Sequence, residues 1–105
     1  MSRGQREPGK PPAGAGAIVR VFAIRNKKGL HARAAAKFVQ TVEKFDSKVC
    51  VTRGGETVDG TSIMGLLMLA ASPGTSITVE AVGKEATDVI EALSVLIDAR
   101  FGEDD

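Results

Sequence analysis

Aromatic residues are scarce in this chain: four phenylalanines, no tryptophan and no tyrosine among 105 residues. Without an aromatic platform, recognition of nucleic acid by base stacking has nothing to build on. A single cysteine, Cys50, excludes an internal disulfide and suits a reducing compartment. A single histidine, His31, leaves no Cys/His spacing for zinc, and no glycine-rich P-loop is present. No apolar run is long enough to cross a bilayer, and the first residues lack the apolar stretch of a secretory signal. The expectation from these absences is one small cytoplasmic domain with no metal, no cofactor and no membrane contact.

What is present is unevenly charged. The formal net charge is +1. Residues 17–53 carry nine Lys/Arg against two acidic residues, a local charge of +7, and residues 54–105 carry two against ten, or −8. The basic half holds His31 together with Arg25, Lys27, Lys28, Arg33 and Lys37. Such a cluster raises the local concentration of anionic partners, although a solvated basic surface would look the same.

Periodicity organises the rest. Residues 1–16 are rich in Gly, Pro and small side chains and read as a disordered tail. A domain follows over residues 17–102, and residues 103–105 read as an acidic C-terminal tail. Ile18–Ile24 is a first strand, with Arg20 leaving its inward face ambiguous. A helix A is expected over about residues 32–44, with Ala34, Ala35, Phe38, Val39 and Val42 on one side. Lys48–Thr52 and Thr57–Asp59 form a hairpin around Gly54-Gly55, with Cys50 facing away from Val49 and Val51. A helix B over residues 62–71 buries Ile63, Leu66, Leu67 and Ala70. Ser76–Val82 alternates as the clearest strand. A helix C runs through Val89, Leu93 and Ile97 to Phe101, stopped by Gly102. The order β-α-β-β-α-β-α, with strands apolar chiefly on one face, predicts an α/β two-layer sandwich with its helices on that face.

The chemistry concentrates at Gly29-Leu30-His31-Ala32-Arg33. If the helix begins at Ala32, its first amides lack intrahelical acceptors and point back at His31. The helix end stabilises an anion there by about 0.3–1 kcal/mol, and a charge-assisted hydrogen bond from Arg33 adds roughly 1.5–3 kcal/mol. Gly29 permits close backbone approach. The combination suits a phosphoryl group held on His31 gently enough to be passed on. A lone nucleophile with one arginine is only half an active site, so partner proteins must supply the rest. An exposed histidine without chemistry is the plain alternative.

Residues 29–38, GLHARAAAKF, resemble the active-site signature of HPr, the histidine phosphocarrier of the bacterial phosphoenolpyruvate-dependent phosphotransferase system. Residues 61–69, TSIMGLLML, resemble the family's second signature, and the similarity runs over about residues 17–101. The resemblance implies an open-faced sandwich: a four-stranded antiparallel sheet with three helices on one side. It implies that Nδ1 of His31 accepts a phosphoryl group from phosphorylated enzyme I and gives it to an EIIA protein, with Arg33 steadying the phosphate. Ala34 departs from the proline common at that position, which puts some looseness into the helix start.

Ser62 has two compatible readings, N-cap of helix B and, as the resemblance implies, target of an HPr kinase/phosphorylase. Thr61 replaces a lysine often found before that serine. Met64, Leu67 and Met68 are the candidates for a partner-docking surface, since flexible methionines suit surfaces that meet several proteins. The Leu66–Leu69 run and the FGEDD ending look more like the nitrogen-related carrier NPr, whereas Ser62-Ile63-Met64-Gly65 looks more like kinase-regulated HPr. A nitrogen-type regulatory carrier is the expectation, with a sugar-uptake HPr as its alternative. An RNA-binding module and a small ligand-binding module are the rivals from other classes.

Overall fold

The computed structural model describes residues 16–103; all but the last residue of the tail expected over 1–16, and the last two residues of the acidic tail expected over 103–105, lie outside the described residues. The elements are β1 (Ile18–Ala23), α1 (Ala32–Val42), β2 (Lys48–Arg53), β3 (Glu56–Asp59), α2 (Ile63–Met68), β4 (Ser76–Val82) and α3 (Ala86–Asp98), followed by a short turn of helix at Arg100–Gly102. The strands form one antiparallel sheet in the order β1-β4-β2-β3. This is the expected α+β open-faced sandwich, with the helices packed on one face.

Alternation along the central strands decides which face is covered. Ile77, Val79 and Ala81 of β4 and Val49 and Val51 of β2 are buried under the helices. Ala81 pairs with Ile18 and Val49, Ile77 with Phe22, and Val79 with Val51, so the apolar rows align across the sheet. Arg20 lies between Ile18 and Phe22 on the inward side of β1, yet stays exposed because β1 is an edge strand. Helix α1 turns Ala34, Ala35, Phe38, Val39 and Val42 into the core beside α2 and α3, and α3 covers β1 and β4 with Val89, Ile90, Leu93 and Ile97. Cys50 is buried although it points to the open side of the sheet, and that burial pushes its thiol above the ordinary value.

Three helix boundaries differ from expectation. Helix α1 ends at Val42, two residues early. Helix α2 is only six residues long, because Ala70 turns left-handed at φ 52° just beyond it. In consequence the stripe expected on it does not bury as a unit. Leu66 and Leu69 are buried and Leu67 is partly buried, while Ile63 and Ala70 are exposed. Helix α3 stops at Asp98, so Phe101 is not on the helix. Arg100, Phe101 and Gly102 all adopt positive φ, at 55°, 57° and 73°. This left-handed turn swings the Phe101 ring back into the core, where it is 1% exposed. The Lys37 ammonium donates to the Phe101 carbonyl at 2.6 Å and holds the turn from α1.

Phe101 is therefore a core residue outside any regular element. Phe101→Ala is expected to lower stability by about 3–5 kcal/mol. Val95→Ala, on the exposed side of α3, should change it by no more than about 0.5 kcal/mol. Urea unfolding of the two variants against the parent checks both values.

Candidate functional site

The loop between β1 and α1 is built around Gly29. Its φ is 67°, and a Cβ there would come within 2.5 Å of the Ala71 carbonyl oxygen. Close approach is needed because the next residue, Leu30, donates its amide to that same carbonyl at 2.8 Å. Leu30 is buried, and the chain then emerges at His31.

His31 is the N-cap of α1. Its backbone is extended, its carbonyl accepts the Ala35 amide at 2.8 Å, and its ring Nδ1 accepts the Arg33 amide at 3.3 Å. A side-chain acceptor on an early helix amide is the usual capping arrangement, with an imidazole nitrogen here in place of the usual oxygen. The side chain is 27% exposed, so the ring is anchored at one edge and reachable from solvent.

On its far edge, Nε2 of His31 contacts Oε2 of Glu103. The other Glu103 oxygen, Oε1, accepts from Asn26 Nδ2 at 3.0 Å. Asn26 Nδ2 also donates to the Gly29 carbonyl at 2.7 Å. Partial burial pushes the Glu103 carboxyl up. The hydrogen bonds from His31 and Asn26, with the charges of His31 and Lys28, outweigh it and hold Glu103 below the usual carboxylate range. An ionised carboxylate can only accept, so Nε2 carries the proton. The Arg33 amide can only donate, so Nδ1 presents a lone pair. Both contacts specify the same tautomer.

Of the residues singled out in the sequence, His31 and Arg33 do meet, but through the Arg33 backbone. Among the described residues no hydrogen bond ties the Arg33 guanidinium to the ring, and the side chain is exposed. Ser62 caps α2 as expected, accepting the Gly65 amide at 2.9 Å. Met64 and Met68 are 71% and 67% exposed, and Ile63 widens the same apolar surface. Leu67 is partly buried against the core. Asn26 and Glu103, the partners that complete this cluster, are not among the residues the sequence singles out: Asn26 falls in the loop after β1, and Glu103 begins the acidic C-terminal stretch. One local signal for Asn26 was its place two residues past a run of strand apolars, next to the glycine loop. No local signal joined Glu103 to a residue 72 positions earlier.

The match to known proteins is close. A family model described as "PTS HPr component phosphorylation site" covers residues 18–99. The phosphocarrier protein HPr of Neisseria meningitidis is 51% identical over 80 residues, 76% of this chain and 90% of that protein. The phosphocarrier protein NPr of Shewanella violacea is 38% identical over 86 residues, 82% of this chain and 94% of that one. The crystal structure of an HPr from Thermoanaerobacter tengcongensis superposes with a TM-score of 0.79 at 41% identity, covering 83% of this chain and 98% of that one.

The turn that leads into Ser62 carries its own titration. The Asp59 carboxylate accepts the Thr61 hydroxyl at 2.6 Å and the Thr61 amide at 2.8 Å. The hydroxyl contact is the main cause holding Asp59 below its ordinary value of 3.8, against a smaller opposing effect of burial. A depressed native pKa contributes stability that is complete above the unfolded value and disappears as pH falls through the native one. Asp59→Asn should therefore be less stable than the parent by a constant margin above about pH 5, and that margin should close below pH 3.8. Urea midpoints measured across this range give the result.

Proposed function

The chain belongs to the HPr family of phosphocarrier proteins of the phosphotransferase system, and on that premise we propose that His31 Nδ1 is the phosphoryl acceptor. The observation that carries this reading is the ring's setting. Nδ1 is the unprotonated nitrogen, lies at the N-terminus of α1, and belongs to a side chain that remains partly exposed. In the transfer, the bond from phosphorus to the donor protein breaks and its electron pair stays with the donor. The Nδ1 lone pair forms the new N–P bond. The helix end and the exposed Arg33 guanidinium then face the phosphoryl oxygens, with Arg33 free to swing onto them.

Enzyme I is the donor we assign and an EIIA-type protein the acceptor. The protein carries the group between them and relies on both for the rest of the active site. Met64 and Met68, with the exposed edge of Leu67, form the docking surface beside the basic side chains of the loop and α1. Ser62 is a second phosphorylation site in this reading, used by an HPr kinase/phosphorylase. A phosphate there would sit at the start of α2, where its charge is tolerated.

On the branch of the system, both features that look nitrogen-type have packing roles here. Leu66 and Leu69 are core residues, and Phe101 anchors the C-terminal turn. They therefore say little about which EIIA docks. The higher identity to proteins named HPr supports a carrier of the HPr type. In a side-by-side assay, faster transfer to a nitrogen-type EIIA than to a sugar-type EIIA would assign the other branch.

Incubation with phosphoenolpyruvate and enzyme I is expected to label the protein with an acid-labile, alkali-stable phosphate, absent in His31→Ala. Label retained by that variant overturns the assignment, and salt-dependent RNA binding without any label would favour a different class of function. For the docking surface, the Met64→Ala/Met68→Ala double variant should melt like the parent but accept phosphate several-fold more slowly. An unchanged rate removes these methionines from the interface. Incubation with ATP and an HPr kinase should give acid-stable label that Ser62→Ala abolishes.

A further inference from the structure

We propose that Asn26 and Glu103 are positioning residues for the transfer, forming a relay in which Asn26 orients Glu103 and Glu103 holds the Nε2 proton of His31. The inference rests on His31 being the phosphoryl acceptor and adds residues to that site.

The geometry is directional. Each Glu103 oxygen has a different donor, Oε2 the imidazole and Oε1 the Asn26 amide, so the carboxylate cannot rotate without losing one. The Asn26 amide is fixed in turn. Its Nδ2 faces two acceptors, Gly29 O and Glu103 Oε1, and the reversed amide would set oxygen against oxygen at both. Asn26 is fully buried, and it is the only buried polar residue among the described residues. Its Oδ1 has no partner. A buried unpaired oxygen is costly, and an apolar side chain would fill the position without that cost. What the asparagine provides is the link between the Gly29 loop and the carboxylate.

The backbone that delivers Glu103 is also unusual. Arg100 and Phe101 are left-handed without being glycine. Left-handed backbone at a residue with a Cβ is strained, and strain of this kind collects at functional sites. Here the Phe101 ring in the core and the Lys37 ammonium on the Phe101 carbonyl hold the turn, and the next free side chain is Glu103 over His31. Lys28 on the loop adds a positive charge that acts on Glu103, and the Lys37 ammonium reaches the turn at the Phe101 carbonyl.

The chemistry uses the proton in both directions. Attack by Nδ1 of a neutral imidazole makes an N-phosphorylated imidazolium, whose positive charge the Glu103 carboxylate offsets. The proton remains on Nε2 throughout. When the N–P bond later breaks toward the next acceptor, the electron pair returns to Nδ1 and the leaving group is neutral imidazole instead of an anion. With the other tautomer Nδ1 would carry the hydrogen and could not attack. A carboxylate that fixes a histidine tautomer is an arrangement with large rate effects in other enzymes.

Glu103→Gln, nearly isosteric, is the principal test, with folding checked by its thermal melt. Ring nitrogen chemical shifts of His31 are expected to show the Nε2–H form in the parent and a substantial Nδ1–H population in Glu103→Gln. With this protein as substrate of enzyme I, kcat should fall about tenfold or more while KM stays within about twofold. Adding Asn26→Ala to Glu103→Gln should cost little more, because Asn26 acts through Glu103. An unchanged tautomer in Glu103→Gln overturns the relay, as does a loss expressed only in KM, which would make Glu103 a docking charge. Loss of label in His31→Ala with an unaltered Glu103→Gln kcat refutes the relay alone. Label persisting in His31→Ala refutes the acceptor assignment beneath it.

Discussion

The whole site depends on one hydrogen bond, from the Arg33 amide to a ring nitrogen of the residue that caps its own helix. Caps are ordinarily serine, threonine, aspartate or asparagine, whose oxygens are chemically quiet once hydrogen-bonded. At His31 the capping atom is itself a nucleophile. Helix formation therefore aims that nitrogen, and the positive end of the helix lies where the phosphoryl group of the proposed transfer would sit. The 3.3 Å separation is long for such a bond, and in the proposed transfer that eases the exchange of a backbone amide for phosphorus. Stability and reactivity share a single lone pair.

That economy demands support from elsewhere, and the fold provides it from three parts of the chain. The Gly29 loop enters from β1, the segment at Ala71 supports it from after α2, and the turn at Arg100–Gly102 closes it from beyond α3. Because β1 and β4 are neighbours, the loops at that end of the sheet are brought together: Ile24 pairs its amide with the Thr75 carbonyl, and Gly74 returns a bond to Ile24. The open face of the sheet takes no part in this assembly.

The sequence makes the architecture and the candidate acceptor legible for different reasons. Strong period-2 alternation in Ser76–Val82 and the Gly-Leu-His-Ala-Arg run are local patterns, and local patterns survive folding. The helix expected over residues 62–71 outruns α2 because Leu69 and Ala70 continue a helical pattern of apolar residues, and nothing in an alanine announces a φ of 52°. Glu103 was unreadable for a stronger reason. Followed by two aspartates it has the composition of a solvated tail, and its role arises from two consecutive non-glycine residues taking left-handed backbone. Sequence rules assign that conformation to glycine, and here only Gly102 obeys them. The sequence points to the Arg33 guanidinium, whereas the structure brings the Arg33 amide to the ring, a distinction between side chain and backbone that residue identity does not contain.

Ala34 ties these points together. The family signature that residues 29–38 resemble commonly has proline there, which pre-sets φ at the helix start and reduces the freedom the chain must lose. Alanine forgoes that advantage, so the entry to α1 must be organised by contacts instead. Ala34 is fully buried, which pins the first turn against the core from below. From above, the His31 ring is held at both nitrogens, by the Arg33 amide and by Glu103. A proline would stiffen the backbone but leave the ring free to turn about its χ angles. The Asn26–Glu103 clamp acts on the ring itself, and ring orientation is what an in-line attack on phosphorus requires.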